Sequence, residues 1–288
     1  MGVTVQSGRM TTLPGPLVEP EWLAQHLDAS DVRVLEATAW LDPPTAEGKP
    51  YDIRSGRADW EAGHIPQSAF ADVIHDLAEP HPTLNFTFPS ATRFAAAMSA
   101  LGVEDGTVVV IYDRNGMTWA TRVWWLLRAY GFDDAAVLNG GWKDWPGPIS
   151  TEPAPDRRAS FTPRPRPGLI ADKAEVLAGP PCLLNALAPD VFRGETNRYG
   201  RAGRIPGSVN VYAKDLIDPA TGRLLAPDEL RERLGGIGDQ RVVAYCGAGI
   251  SATLDAFALT LLGVPDVAVY DGSMSEWVAD PALPLDRG

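Results

Sequence analysis

Arg241-Val-Val-Ala-Tyr-Cys246-Gly-Ala-Gly-Ile-Ser251 is the stretch on which the fold turns. Val242–Tyr245 is an apolar run too short for a helix and reads as a buried strand. Ala252–Leu262 follows with Leu254, Ala258, Leu261 and Leu262 at helical spacing, and it stops at Gly263. Val267–Tyr270 is the next short strand. A strand, a glycine-bearing turn, a helix and a second strand form the repeating unit of a mostly parallel sheet covered by helices on both faces.

Working outward, the same pattern occurs a second time. Thr107-Val-Val-Val-Ile-Tyr-Asp113 leads into a periodic helical stretch, Trp119–Tyr130, which ends at Gly131 before the strand Ala136–Leu138. Leu138-Asn-Gly-Gly-Trp142-Lys-Asp-Trp145 then parallels Tyr270-Asp-Gly-Ser-Met-Ser-Glu-Trp277. Asp113 and Cys246 lie 133 residues apart, and Trp145 and Trp277 lie 132 apart, so one single-residue gap aligns them. Ala62-Gly-His-Ile-Pro66 and Ala202-Gly-Arg-Ile-Pro206 repeat in the same order. The chain is read as a duplicated α/β domain. The first copy adds a strand at Val32–Glu36 and a helix at Phe94–Leu101. The second adds a helix at Ala171–Ala178, a strand at Cys182–Ala186 and a helix at Pro227–Leu234 with proline in its first turn. The expected division is residues 11–146, a proline-rich linker 147–168, and residues 169–286. Pro148, Pro153, Pro155, Pro163, Pro165 and Pro167 make the linker extended, and it is expected to lie over the surface.

Composition agrees. The 288 residues suit two domains, and 45% hydrophobic with 22% charged side chains is an ordinary globular balance. The net charge of −12 argues against binding a nucleic-acid backbone. No run of about 18 apolar residues exists to span a membrane. Met1–Pro20 lacks an apolar signal core, and Met10 is an alternative start. Two cysteines, Cys182 and Cys246, allow at most one disulfide in a chain large enough not to need it, so a reducing, cytoplasmic setting is expected.

Cys246 stands where a strand ends and a helix begins, the place where ligands bind in open α/β sheets. Gly247 and Gly249 let successive N–H groups turn inward, and such a ring of amides beside a helix start favours an anion. A thiolate held there is stabilised relative to its thiol. The first copy has Asp113 at this place, and a carboxylate is no sulfur nucleophile, so that copy is expected to be inactive. A phosphotyrosine-type phosphatase needs an arginine six residues after its cysteine; here Ala252 stands there, so the phosphoryl clamp is missing.

Together these motifs resemble the tandem-domain rhodanese sulfurtransferases over roughly residues 16–285. Gly63-His-Ile-Pro66 and Gly203-Arg-Ile-Pro206-Gly-Ser208 resemble that family's Gly-His-Ile-Pro-Gly-Ala motif. Cys246-Gly-Ala-Gly-Ile-Ser251 resembles the Cys-Gly-Ser-Gly-Val-Thr loop of its 3-mercaptopyruvate members; thiosulfate members usually carry Arg and Lys after the cysteine. The resemblance implies two rhodanese-like domains and a ping-pong transfer. Sulfur moves from a small donor, 3-mercaptopyruvate favoured over thiosulfate, through a Cys246 persulfide to cyanide, a thiol or a thioredoxin-like reductant, with no cofactor and no metal. The alternative is a non-catalytic scaffold or persulfide-binding module.

The resemblance also assigns residues. Gly247, Ala248, Gly249 and Ile250 form the loop around the sulfur, and Ser251 replaces the family threonine and keeps a hydroxyl near it. Ala248 replaces the serine of a Ser–His–Asp relay, in which Asp72 takes the aspartate position and His81 is the nearest histidine, five residues before the aligned Phe86. Val191 stands where a substrate-binding arginine is expected, leaving Arg193, Arg198, Arg201 and Arg204 as substitutes, with Arg193 and Arg198 favoured. Met117, Trp119, Trp124 and Trp125 are expected to be packing residues, and His26 and His75 have no ligand-like partners.

Overall fold

The computed structural model describes residues 11–46, 48–238 and 240–288; the alternative start at Met10 and the leader before it lie outside the described residues. The first copy runs β1 (Leu17–Val18), α1 (Pro20–His26), β2 (Val32–Glu36), the hairpin strands β3 (Ala39–Asp42) and β4 (Asp52–Ser55), α2 (Arg57–Ala62), β5 (Ala69–Phe70), α3 (Ala91–Ala100), β6 (Val108–Tyr112), α4 (Thr118–Ala129) and β7 (Ala135–Leu138). The second runs β8 (Ile170–Ala171), α5 (Lys173–Leu177), β9 (Cys182–Asn185), α6 (Pro189–Phe192), β10 (Val209–Asn210), α7 (Pro227–Arg233), β11 (Val242–Tyr245), α8 (Ala252–Leu261), β12 (Val267–Tyr270) and α9 (Ser273–Ala279).

Each copy builds one five-stranded parallel sheet. The first has the order β1-β7-β6-β2-β5 and the second β8-β12-β11-β9-β10, so element for element the two sheets correspond. Their central strands, β6 and β11, are buried along their whole length, which is why they read as unbroken apolar runs. Asp113 and Cys246 follow directly at their carboxyl ends.

The repeated Gly-x-Ile-Pro motif has a structural task that its sequence did not disclose. The Ile65 amide donates to the Tyr112 hydroxyl at 3.1 Å, and Ser68 shares that hydroxyl at 3.2 Å. In the second copy the Ile205 amide donates to Tyr245 at 3.2 Å and Ser208 contacts it at 2.8 Å. Each motif therefore holds the tyrosine immediately before Asp113 or Cys246.

The copies meet through α4 and α8. Thr121 and Thr253 hydroxyls lie 3.0 Å apart across the pair, and Trp124 packs edge-on to Phe257 with ring centres 4.9 Å apart. One apolar cluster runs through both copies, including Val123, Trp124 and Trp125 from α4 and Leu254, Phe257 and Ala258 from α8. Met117, Trp119, Trp124 and Trp125 are all buried, as their helical spacing suggested.

Two expectations need correction. Ala171 does not begin a helix: it pairs in parallel with Tyr270 as an edge strand, and the helix starts at Lys173 behind Asp172, whose side chain accepts from the Glu175 amide at 2.8 Å. Helix propensity at alanine yields here to a free sheet edge. The linker is also more than a surface strap. Phe161 is buried against Phe94 and Phe132, with ring centres 5.4 and 5.8 Å apart, while Arg164 and Arg166 pair with Asp105 and Asp133. The Phe161→Ala variant is expected to lose about 3 kcal/mol in urea denaturation, the usual cost of emptying an aromatic site in a core; a change within error would mean the linker does not dock.

Candidate functional site

The geometry of the loop after β11 follows from where its carbonyls are fixed. The Cys246 carbonyl accepts from the Met274 amide at 3.0 Å, and the Gly247 carbonyl accepts from the Ser275 amide at 3.0 Å and its hydroxyl at 2.7 Å. The Gly249 carbonyl accepts from Arg122 Nη1 at 3.2 Å. A trans peptide places N–H opposite C=O, so the amides of Gly247, Ala248 and Ile250 face the other way. Among the described residues, no backbone or side-chain oxygen accepts from the N–H groups of Gly247, Ala248, Ile250, Ser251 or Ala252. Gly249 makes the turn with φ +69°, a left-handed value that suits glycine. Its own amide and that of Cys246 donate to the Ser273 hydroxyl, each at 3.1 Å.

The first copy displays what such a loop holds. The Asp113 carboxylate accepts from four backbone amides: Asn115 at 2.7 Å, Met117 at 3.0 Å, and Trp119 and Ala120 at 2.8 Å each. Gly116 turns there with φ +69°, as Gly249 does, and the Asp113 carbonyl accepts from Trp142 as that of Cys246 accepts from Met274. Burial pushes the Asp113 acid up from its ordinary value, and the four amides pull it back. An anion is thus built into the first cradle by the chain itself. In the second copy the side chain at that place is Cys246.

Cys246 is 2% exposed and unbridged. Against the loop, through Ile250 and Ser251 rather than Cys246 itself, opens a cleft of about 290 Å³ lined by both copies, with Trp40, Leu41, Asp42, Asn115, Thr118 and Trp119 from the first. The second contributes Ile250 and Ser251 of the loop, together with Arg198, Tyr199, Tyr212 and Lys214 among others. Tyr199 stands against Gly247 so closely that a Cβ there would overlap its hydroxyl. Burial pushes the Tyr199 phenol up, and negative charge at Cys246 adds to the effect. Burial likewise pushes Tyr51 up to about 12, against a hydrogen bond from Asn85. Both phenols are therefore neutral hydrogen-bond donors at neutral pH. Asp255, in the first turn of α8, is fully buried with neither carboxyl oxygen partnered among the described residues. Burial and charge at Cys246 push its acid well above the ordinary range.

The expected site residues divide. Gly247, Ala248, Gly249, Ile250 and Ser251 surround Cys246, and Ser251 occupies the N-cap of α8 without a capping bond from its side chain. Of the four arginines, Arg198 alone lines the cleft. Arg193 points into solvent and pairs with Glu195 at 2.7 Å, because the short helix α6 ends at Phe192 and turns it outward. Arg201 donates to the Asp280 and Leu283 carbonyls, and Arg204 to that of Gly288. The Asp72–His81 relay is not assembled. Asp72 holds His75 at 3.1 Å, while His81 Nδ1 accepts from the amides of Thr83 and Leu84 and closes its own turn. His75 and His81 line a separate depression that Cys246 does not share. Tyr51, Tyr199, Tyr212, Lys214 and the hairpin residues Trp40–Asp42 were missed, since no local motif marks them. Arg198-Tyr199, adjacent in sequence, was the nearest signal.

Comparison with known proteins agrees with this geometry. The model of the rhodanese-like domain matches residues 19–147 and 190–280. The chain is 33% identical to a probable 3-mercaptopyruvate sulfurtransferase of Pseudomonas aeruginosa, over 94% of this chain and 98% of that protein. It is 32% identical to thiosulfate sulfurtransferase of Rattus norvegicus, over 94% and 95%. The crystal structure of the 3-mercaptopyruvate sulfurtransferase SseA from Escherichia coli superposes with a TM-score of 0.78 at 28% identity, covering 91% of this chain and 99% of that one. The chain belongs to the rhodanese-like family.

The Asp113→Ala variant leaves four amides, three of them buried, without an acceptor. At about 1–3 kcal/mol for an orphaned buried group, a loss of at least about 3 kcal/mol is expected in equilibrium denaturation. Wild-type stability in that variant would mean the first cradle needs no anion.

Proposed function

We propose that this sulfurtransferase carries sulfur on Cys246 and takes it by preference from 3-mercaptopyruvate. The Cys246 thiolate attacks the donor's sulfur, the donor's C–S bond breaks, and its electron pair leaves on the pyruvate enolate. The enolate takes its proton from cleft water or through the Ser251 hydroxyl, which is not engaged in capping. The inward amides of Gly247, Ala248 and Ile250 hold the persulfide anion until cyanide, a thiol or a thioredoxin-like reductant attacks the outer sulfur and restores the thiolate.

One observation carries the reading: the duplicate of this loop grips a carboxylate with four amides, and the site that lacks the built-in anion has a cysteine. The choice of donor is supported by charge placement. The loop itself is neutral, and Arg198 and Lys214 stand on the cleft wall with no carboxylate within salt-bridge distance among the described residues. Cations set apart from the sulfur suit a donor whose carboxylate is remote from the transferred atom; thiosulfate carries its charge beside it.

The same proposal includes the division into residues 11–146, a linker 147–168 and residues 169–286, with the first unit lacking a nucleophile. A reducing, cytoplasmic setting suits a chain whose two cysteines are both free thiols. No described helix is long and apolar enough to cross a membrane.

Mass spectrometry after exposure to 3-mercaptopyruvate is expected to find one added sulfur on Cys246, removed by cyanide, and Cys246→Ser is expected to have no turnover. A fully active Cys246→Ser enzyme, or thiosulfate turned over better than 3-mercaptopyruvate, overturns the respective half of the proposal. Arg198→Ala is expected to raise KM for 3-mercaptopyruvate about tenfold, the value of one charge-assisted hydrogen bond; an unchanged KM would remove Arg198 from the binding site.

A further inference from the structure

Arg122 belongs to α4, in the copy without a nucleophile, yet its guanidinium ends against the other copy. It is 2% exposed. Besides the Gly249 carbonyl, it donates through Nη2 to the Phe86 carbonyl at 2.5 Å and to Asp271 Oδ1 at 2.7 Å. Asp271, just past β12, accepts the Phe88 amide on its other oxygen at 2.8 Å, and the Phe88 ring stands 4.8 Å from the guanidinium. A buried guanidinium is stable only when its donors are met, and here the acceptors come from three separate segments. Gly249 is consequently fixed at both ends, its N–H on Ser273 and its carbonyl on Arg122. The Gly249–Ile250 peptide cannot rotate without breaking the latter bond. Its N–H corresponds to that of Met117, which donates to Asp113 in the first copy.

We infer that Arg122 is a positioning residue for the sulfur chemistry: by holding the Gly249 carbonyl it aims the Ile250 amide at the Cys246 thiolate and persulfide. The nucleophile-free copy thereby sets the anion cradle of the other. This rests on Cys246 as the sulfur carrier. Lysine at 122 keeps the charge but cannot fork between three acceptors.

The test uses the full chain with Arg122→Met, Arg122→Lys and Thr121→Val. Thr121→Val removes the hydroxyl pair between α4 and α8 and leaves the Gly249 carbonyl alone. Three quantities are measured: alkylation of Cys246 by iodoacetamide at fixed pH, mapped by peptide mass spectrometry; kcat and KM for 3-mercaptopyruvate; and the thermal midpoint. Arg122→Met is expected to slow alkylation and lower kcat at least about tenfold, the scale of losing one anion-stabilising donor, with KM within about twofold. Arg122→Lys recovers part of both rates. Thr121→Val lowers the midpoint with both rates near wild type. A folded Arg122→Met enzyme with wild-type alkylation and kcat overturns the inference, as do Arg122→Met and Thr121→Val losing rate in proportion to their midpoints. Should Arg122→Met not fold, Arg122→Lys and Asp271→Asn decide it, and unchanged alkylation in both overturns it. A wild-type Cys246 that takes up no donor sulfur defeats the carrier reading instead, and alkylation still reports the cradle.

Discussion

The planarity of a few peptide bonds governs this site. Once the carbonyls of Cys246, Gly247 and Gly249 are taken by Met274, Ser275 and Arg122, the following amides have no choice of direction. Nothing at the site needs a charged side chain next to the sulfur; the partial charges of the backbone serve, and they cannot be titrated away. The surroundings support the same end. α9 begins immediately beside the loop, and Ser273, with φ +50°, offers its hydroxyl to two loop amides while donating to the Tyr270 carbonyl at 2.7 Å. The parts that hold the loop therefore come from β12, from α9 and from the opposite copy.

The duplication explains why such a device is stable in both halves. A ring of inward amides is unfavourable when nothing fills it, and the first copy fills it with Asp113. The second copy has Cys246 at that place, and its loop is held by a contact from the neighbour. The shared apolar core around α4 and α8 holds the neighbour against the loop. On a protein of net charge −12, the cleft wall carries two cations, Arg198 and Lys214, against one carboxylate, Asp42.

Periodicity disclosed the central strands and the longer helices because these leave short-range signatures, whereas the β3–β4 hairpin, the two-residue edge strands and the short helices α1, α2, α6 and α9 were not anticipated. Val242–Tyr245 and Val267–Tyr270 were bounded to the residue. Ala171 failed because a two-residue edge strand has no period to detect. The loop around Cys246 was legible from its glycines and from its counterpart at Asp113. The rest of the site was not, for a physical reason: Arg122, Tyr51, Tyr199 and Lys214 reach it from segments distant in sequence, and only tertiary packing brings them together. The histidine relay failed similarly. The family resemblance places Asp72 at the aspartate position and His81 only as the histidine nearest the aligned Phe86, whereas the structure gives Asp72 the closer His75. The Gly-x-Ile-Pro motif was recognised as a signature, but its hydrogen bonds to Tyr112 and Tyr245 became visible only in three dimensions.

The contact between Gly247 and Tyr199 bears on how such a protein can diversify. The backbone position after the nucleophile is bare because an aromatic ring from a distant segment occupies the volume any side chain would claim. Positions 199 and 247 are consequently coupled, since the volume left by one is held by the other. A side chain placed at 247 has to displace the Tyr199 ring, and shrinking residue 199 alone opens a void beside the loop.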